Sequence, residues 1–150
     1  MTKDVIITLF GLQFLPGDDD PEPVEVVIPG KYYKKNNSHY VLYDEITEGF
    51  KEPTRNTIKF SETSMMVKKH GLLNVDMFFE KGKKTFADYR LPMGSLQLEI
   101  GATAFSLKET EELIEYRVDY GMRMEDSLAA DCMISLKICS AENGGFSLNS

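Results

Sequence analysis

From Ile114 onward, the segment Glu112 to Glu125 (ELIEYRVDYGMRME) alternates without a break. Ile114, Tyr116, Val118, Tyr120, Met122 and Met124 are apolar or aromatic, while Glu115, Arg117, Asp119, Gly121, Arg123 and Glu125 are charged or glycine. Side chains of a strand point to opposite faces with period two, so this segment predicts a long strand with one dry face and one wet face. A helix would scatter the six apolar side chains around its circumference. The rest of the chain must supply a cover for the dry face.

Other segments carry the same signal. Val5 to Leu15 is an apolar run rich in β-branched and aromatic residues, and the acidic loop from Pro16 to Pro23 cannot join a ladder. Val24, Val26 and Ile28 alternate with Glu25, Val27 and Pro29 in a second strand that reaches Gly30-Lys31-Tyr32-Tyr33. Asn36-Asn37 predicts a turn, after which Tyr40, Leu42 and Ile46 open a third strand. Thr57 to Ser61 predicts a fourth, with Ile58 and Phe60 sharing a face. Met65 to Lys69 and Leu72 to Glu80 form a pair turning at His70-Gly71. In its second member Leu73, Val75, Met77 and Phe79 share the apolar face. Phe86 to Leu91 follows the hairpin tip Lys81 to Lys84, and Leu96, Leu98 and Ile100 begin a strand running to Leu107. Met133 to Cys139 closes the series, and no segment sustains a helical period beyond a single turn over Ser127 to Asp131.

Short strands at hairpin spacing predict a sandwich or barrel, and a meander of this length tends to close because closure removes its edges. The expected fold is all-β: a single up-and-down barrel of about eight to ten strands. It occupies residues 1–140, with 141–150, rich in Gly, Asn and Ser, as a flexible tail.

Composition narrows the function classes. At 150 residues, 42% hydrophobic and 27% charged, the chain is an ordinary globular domain able to bury its own core. A formal charge of -7 favours solubility and works against non-specific attraction to phosphate backbones or anionic lipid. No apolar run is long enough to span a bilayer as a helix and none reads as a signal peptide, so a cytoplasmic location is expected. Cys132 and Cys139 lie seven apart on one strand, on opposite faces, and cannot bridge. Cys132 reads as a buried small hydrophobe and Cys139 as the more exposed thiol. His39 and His70 fall in different segments and no CxxC pair is present, so no metal and no cofactor are expected.

Thr54-Arg55-Asn56-Thr57-Ile58-Lys59-Phe60, Lys69-His70-Gly71, Met77-Phe78-Phe79-Glu80-Lys81-Gly82-Lys83, Tyr89-Arg90-Leu91-Pro92-Met93-Gly94-Ser95-Leu96 and Gly30-Lys31-Tyr32-Tyr33 are similar to the YwiB-like, DUF1934 group of bacterial proteins. The resemblance runs in order from about Ile6 to Ile138. It implies a calycin-like, lipocalin-like barrel, in agreement with the strand count, and it implies no biochemical activity.

A barrel of this size is either filled by side chains or holds one small ligand. The candidate ligand-binding residues are the bulky members of the dry faces: Tyr32, Tyr40, Met77, Phe79, Tyr116, Tyr120, Met122 and Met124. Methionine adapts to apolar ligands and tyrosine supplies polar handles. The same residues serve equally to pack a core. No catalytic motif is present, and His39 has no nucleophile or orienting group beside it in sequence, so the chain is not expected to be an enzyme. Glu111, Glu112 and Glu115 read as solvated charge, and Asp18 to Asp20 lack the spacing of a calcium loop.

Lys31-Tyr32-Tyr33-Lys34-Lys35, continuing through Tyr40 and Tyr43, interleaves basic and aromatic residues as single-strand-binding surfaces do. Alternation places Tyr32 inside and Tyr33 outside, and the negative net charge makes nucleic acid an unfavoured partner. Two functions remain: binding of a small apolar or amphipathic molecule inside the barrel, or a packed barrel acting as an interaction module. The second could be a homodimer through outward apolar residues such as Val5, Ile7, Leu9, Tyr33 and Phe78.

Overall fold

The computed structural model describes residues 3–14, 24–46, 49, 51–71, 74–91, 94–124 and 129–141. Side chains at 12–14, 24, 89, 91, 96, 124, 129 and 130 also lie outside that description. Among the described residues ten strands follow one another. They are β1 (Lys3–Phe14), β2 (Val24–Lys35), β3 (Ser38–Glu45), β4 (Thr54–Phe60), β5 (Ser64–His70), β6 (Asn74–Glu80), β7 (Lys84–Leu91), β8 (Gly94–Glu109), β9 (Leu113–Met124) and β10 (Ala129–Ser140). Each pairs antiparallel with its neighbours in sequence, and β1 pairs with β10 from Val5↔Ser140 to Phe14↔Asp131, closing the barrel. This is the up-and-down barrel expected, at the upper end of the strand count. Among the described residues no helix is long and apolar enough to cross a membrane.

The organising strand is β9, and Ile114, Tyr116 and Val118 on its dry face are buried, with Tyr120 and Met122 packed against the core. The middle of the barrel is filled by rings. Phe60 lies 4.4 Å from Tyr116, Phe105 6.3 Å from Tyr116, and Phe79 meets Tyr120 edge-on at 4.8 Å. The Tyr116 hydroxyl donates to the Ser64 carbonyl at 3.0 Å, so this ring brings its polar tip a partner.

Three expectations are corrected. Val5 and Ile7 are buried at 3% and 0% exposure and Leu9 packs against the core, so they face inward rather than outward. β1 is apolar on both faces, so alternation leaves its phase undetermined; the ladder to β2 sets it, with Ile7 opposite the inward Ile28. In β3 the inward residues are His39, Val41 and Tyr43, not Tyr40 and Leu42, and Ile46 follows the strand and is exposed. The helical turn at Ser127 to Asp131 is not found where the chain is described, because Ala129 to Asp131 already belong to β10. The expected tail and the Asp18 to Asp20 loop fall outside the described residues.

Asn36 and Asn37 both have positive φ, 52° and 65°, as a two-residue hairpin turn of the mirrored type requires. That tight turn sets the β2–β3 register from Lys35↔Ser38 to Lys31↔Leu42, beyond which the two strands diverge. β8 carries an extra residue between Ala102 and Ala104 against β9. Before this bulge Leu98, Ile100 and Ala102 point inward, and after it Phe105 and Leu107 do, so the phase of β8 inverts at Thr103.

Gly30 lies where β3 begins to leave β2. A Cβ there would sit 2.6 Å from the Leu42 carbonyl oxygen and 2.5 Å from Ile7 Cδ1, and the backbone oxygen cannot move aside without shifting β3. Gly30→Ala is expected to destabilise the barrel by about 1–3 kcal/mol, the usual range for overpacking. Urea unfolding of the two proteins measures it, and equal midpoints would show that the strands have slack.

Candidate functional site

The two ends of the barrel carry its inward polar groups. At one end β2, β4 and β8 bring side chains to His39 of β3, which is 2% exposed. The two-residue turn places Lys34 opposite His39, so Tyr32, Lys34 and His39 share the inner face. The Tyr32 hydroxyl lies 2.7 Å from His39 Nδ1. His39 Nε2 lies 3.6 Å from Glu109 Oε1, and Lys34 Nζ is 3.4 Å from the same carboxylate. The imidazole stacks on Phe60 at 4.9 Å and 13°.

Glu109 owes its place to the bulge. It pairs with the inward Ile114, whereas an unbroken β8 would have turned Lys108 inward. Two lysines would then have met at the histidine. Glu109 is thus half of an inward ion pair with Lys34.

The protonation states follow from burial. Burial lowers the His39 pKa below its ordinary value of 6.5; Glu109 works against that shift and Lys34 adds to it. Burial, with a smaller contribution from Glu109, pushes the Tyr32 phenol up to about 12. At neutral pH Tyr32 therefore donates its proton to Nδ1 of a neutral imidazole, and the remaining N–H at Nε2 points towards Glu109. A phenol held this firmly protonated is a poor nucleophile, and with its proton given to Nδ1 its oxygen is left to accept a hydrogen bond. The arrangement positions a polar group; it does not activate one.

A cavity of about 320 Å³ opens beside this network. Val5, Tyr32, Ile114 and Ile138 line it from the barrel interior, and Lys34 and Glu109 lie at its polar side. A larger trough of about 790 Å³ lies where β2 and β3 diverge. It is bordered by Lys31, Leu42, Asp44 and Arg55 on the outside and reaches the inward Val5, Ile28 and Tyr43. Its polar groups are exposed ion pairs, Lys31–Asp4 and Arg55–Asp44. The smaller cavity is the better site because inward apolar walls and a buried polar pair meet there.

At the opposite end, Glu45 Oε1 accepts from Asn56 Nδ2 at 2.8 Å and from Lys69 Nζ at 2.9 Å. Burial acts to raise the Glu45 pKa, but the Lys69 hydrogen bond and charge, with Asn56, outweigh it and hold the carboxyl below its usual value. Asn56 Oδ1 is buried with no hydrogen-bond partner among the described residues. No group of three or more metal-ligating side chains is assembled among the described residues.

Of the sequence candidates, only Tyr32 lines the cavity. Met77, Phe79 and Tyr116 are buried in the packed centre, and Tyr120 and Met122 pack against it. The Met124 side chain lies outside the described set. Tyr40 is on the outer face, a correction that follows from the β2–β3 register, which pairs it with the outward Tyr33. The two rings stack at 4.6 Å and 7°. His39 and Glu109 were legible only in part: the Asn36-Asn37 turn implies that His39 opposes Lys34, but nothing local marks the bulge that brings Glu109 to them.

The model of a family described as "Domain of unknown function (DUF1934)" matches residues 7–136, almost the whole barrel. The "Uncharacterized beta-barrel protein YwiB" of Bacillus subtilis (strain 168) is 28% identical over 126 residues, covering 84% of this chain and 87% of that protein. The crystal structure of the ywiB protein from Bacillus subtilis superposes with a TM-score of 0.69 over 91% of this chain and 92% of that one, at 22% identity.

His39 yields a pH prediction. Because its folded pKa is depressed, the unfolded chain takes up a proton near pH 6.5 that the folded chain refuses. Its contribution is complete above that value and is lost as pH falls below it, towards the folded pKa. Tm should drop between about pH 7.5 and about pH 5.5, and His39→Gln should flatten that drop while lowering Tm at the higher pH. An unchanged pH profile in the variant would remove His39 as its source.

Proposed function

The chain belongs to the DUF1934 family, a family of uncharacterised β-barrel proteins, and on that footing we propose that it binds a small amphipathic molecule at the Tyr32 end of the barrel. The supporting observation is the cavity of about 320 Å³ in which inward apolar side chains meet the buried Tyr32–His39 pair. Small-molecule sites are typically about 300–1,000 Å³, mostly apolar, with a few fixed polar groups that orient the ligand. Val5, Ile114 and Ile138 supply the apolar wall, and the Tyr32 hydroxyl, oriented by His39, supplies the polar handle. The ligand is held at the mouth, since rings occupy the middle of the barrel. This is a shallower mode than a calycin-like barrel with an open centre would use. Binding, not catalysis, is the role assigned, because Tyr32 and His39 satisfy each other and neither is activated.

Native mass spectrometry of gently purified protein, compared with its denatured mass, tests this. The expected result is a reproducible extra mass that disappears on denaturation and is reduced in Tyr32→Phe and in Leu113→Trp, which fills the mouth. A clean apo mass, together with failure of the folded protein to bind the amphipathic dye anilinonaphthalene sulfonate, would overturn it.

A second function, that of an interaction module, is favoured by one observation. Phe78 and Phe86 on the outer faces of β6 and β7 are 41% and 53% exposed, large rings with no cover among the described residues. If a homodimer forms there, light scattering should give twice the monomer mass for the wild type and the monomer mass for Phe78→Glu. A wild-type monomer at all accessible concentrations counts against it.

A further inference from the structure

The outer face of β2 to β5 differs in chemistry from the rest of the surface. Outward positions line up across the ladders as Tyr33↔Tyr40, Tyr40↔Lys59 and Lys59↔Met66. The Tyr33 and Tyr40 rings stack at 4.6 Å, and Lys59 Nζ sits 5.6 Å from the Tyr40 ring centroid. Lys35 and Lys68 stand on the same face, one at the end of β2 and the other opposite Thr57 on β5. Among the described residues Lys35, Lys59 and Lys68 have no carboxylate partner, while Lys31 pairs with Asp4 and Arg55 with Asp44. Elsewhere Lys84 pairs with Glu99 and Arg117 with Asp119, and Asp76, which stands opposite Lys68 in the β5–β6 ladder, is taken up by Arg90.

We propose that this face binds single-stranded nucleic acid, with bases against the Tyr33–Tyr40 pair and phosphates at Lys35, Lys59 and Lys68. The proposal is independent of the mouth cavity, which opens to the other side of the same strands. The net charge of -7 argues against it only if the charge is evenly spread. Here the acidic excess lies elsewhere, and the face itself has an excess of lysine. Charge alone would suit any polyanion; the rings among the lysines select one that carries planar bases, because base–aromatic stacking tolerates every sequence. The shallow sheet offers no helix or ribbon to enter a duplex groove, so a single strand is the form that fits. Tyr40 is central, and its outward position follows from the Asn36-Asn37 turn.

Fluorescence anisotropy with a labelled oligo(dT) of about a dozen nucleotides, within the usual site sizes, reads the affinity of the full-length protein. Saturable binding is expected, weaker for the same sequence as a duplex. Plotted as log K against log salt, its slope should be about -2, the counterions of three phosphate contacts on a single strand. Tyr40→Ala should weaken binding about ten-fold, because Tyr40 backs the Tyr33 ring on which a base stacks, and leave the salt slope unchanged. Lys68→Glu should weaken binding and flatten the slope by about 0.7. Lys68 is exposed and its substitution leaves the core intact, so it decides the matter if Tyr40→Ala fails to fold by circular dichroism. No binding at about 0.1 mM protein in low salt would overturn the proposal. So would competition by heparin combined with full affinity of a folded Tyr40→Ala, which would mean a polyanion held without stacking. Self-association through this face, lost in Lys68→Glu without any oligonucleotide binding, would overturn it in favour of a protein partner.

Discussion

Closure of the barrel is the constraint from which the other features follow. Ten antiparallel strands in sequence order leave two edges, and the pairing of β1 with β10 removes both. Every strand is then hydrogen-bonded on two sides, and its inward phase is dictated by its neighbours, not by its own composition. A one-residue slip at any ladder would turn an entire strand inside out. For a strand such as β1, apolar on both faces, this is the sole source of the phase it adopts. Two groups of rings, Phe60–Tyr116–Phe105 and Phe79–Tyr120, pack in the space that closure creates.

Filling the centre with rings pushes polar chemistry to the ends. Tyr32, His39, Glu109 and Lys34 occupy one end; Glu45, Asn56 and Lys69 occupy the other. Each group is self-consistent in charge: one carboxylate and one lysine, with the neutral Tyr32 and His39 at one end and Asn56 at the other. That balance lets them remain partly desolvated, because an inward charge without a partner costs several kcal/mol. At the His39 end the balance depends on a single residue, Thr103, whose insertion into β8 exchanges Lys108 for Glu109 on the inner face. The bulge is a small distortion of the ladder with an electrostatic consequence at the far end of the strand.

The same β2–β3 hairpin serves both of its faces. Inward it presents Tyr32 and His39 to the mouth; outward it presents Tyr33 and Tyr40 beside Lys59. Two residues at positive φ, Asn36 and Asn37, set both arrangements together, because the turn fixes which residues face each other. The divergence of β2 from β3 beyond Gly30 gives the seam its second feature, the external trough, without disturbing either face.

Strand content, the meander and the dry face of β9 were legible in the sequence, because period-two alternation and hairpin-length turns are local properties. Ile58, Phe60, Val75, Met77 and Phe79 read correctly inward for the same reason: their outward neighbours are mostly polar. The sequence could not assign Val5 or Ile7, which flank an equally apolar Ile6, whereas Tyr40 follows once the Asn36-Asn37 turn is read together with the outward Tyr33. Nor could it place Glu109, whose orientation depends on a bulge six residues earlier in the same strand. Alternation reports only the difference between two faces; where both are apolar, or where the phase shifts within a strand, the difference vanishes. Which side chain points inward is then decided by hydrogen bonds to neighbouring strands, and those exist only once the barrel has closed.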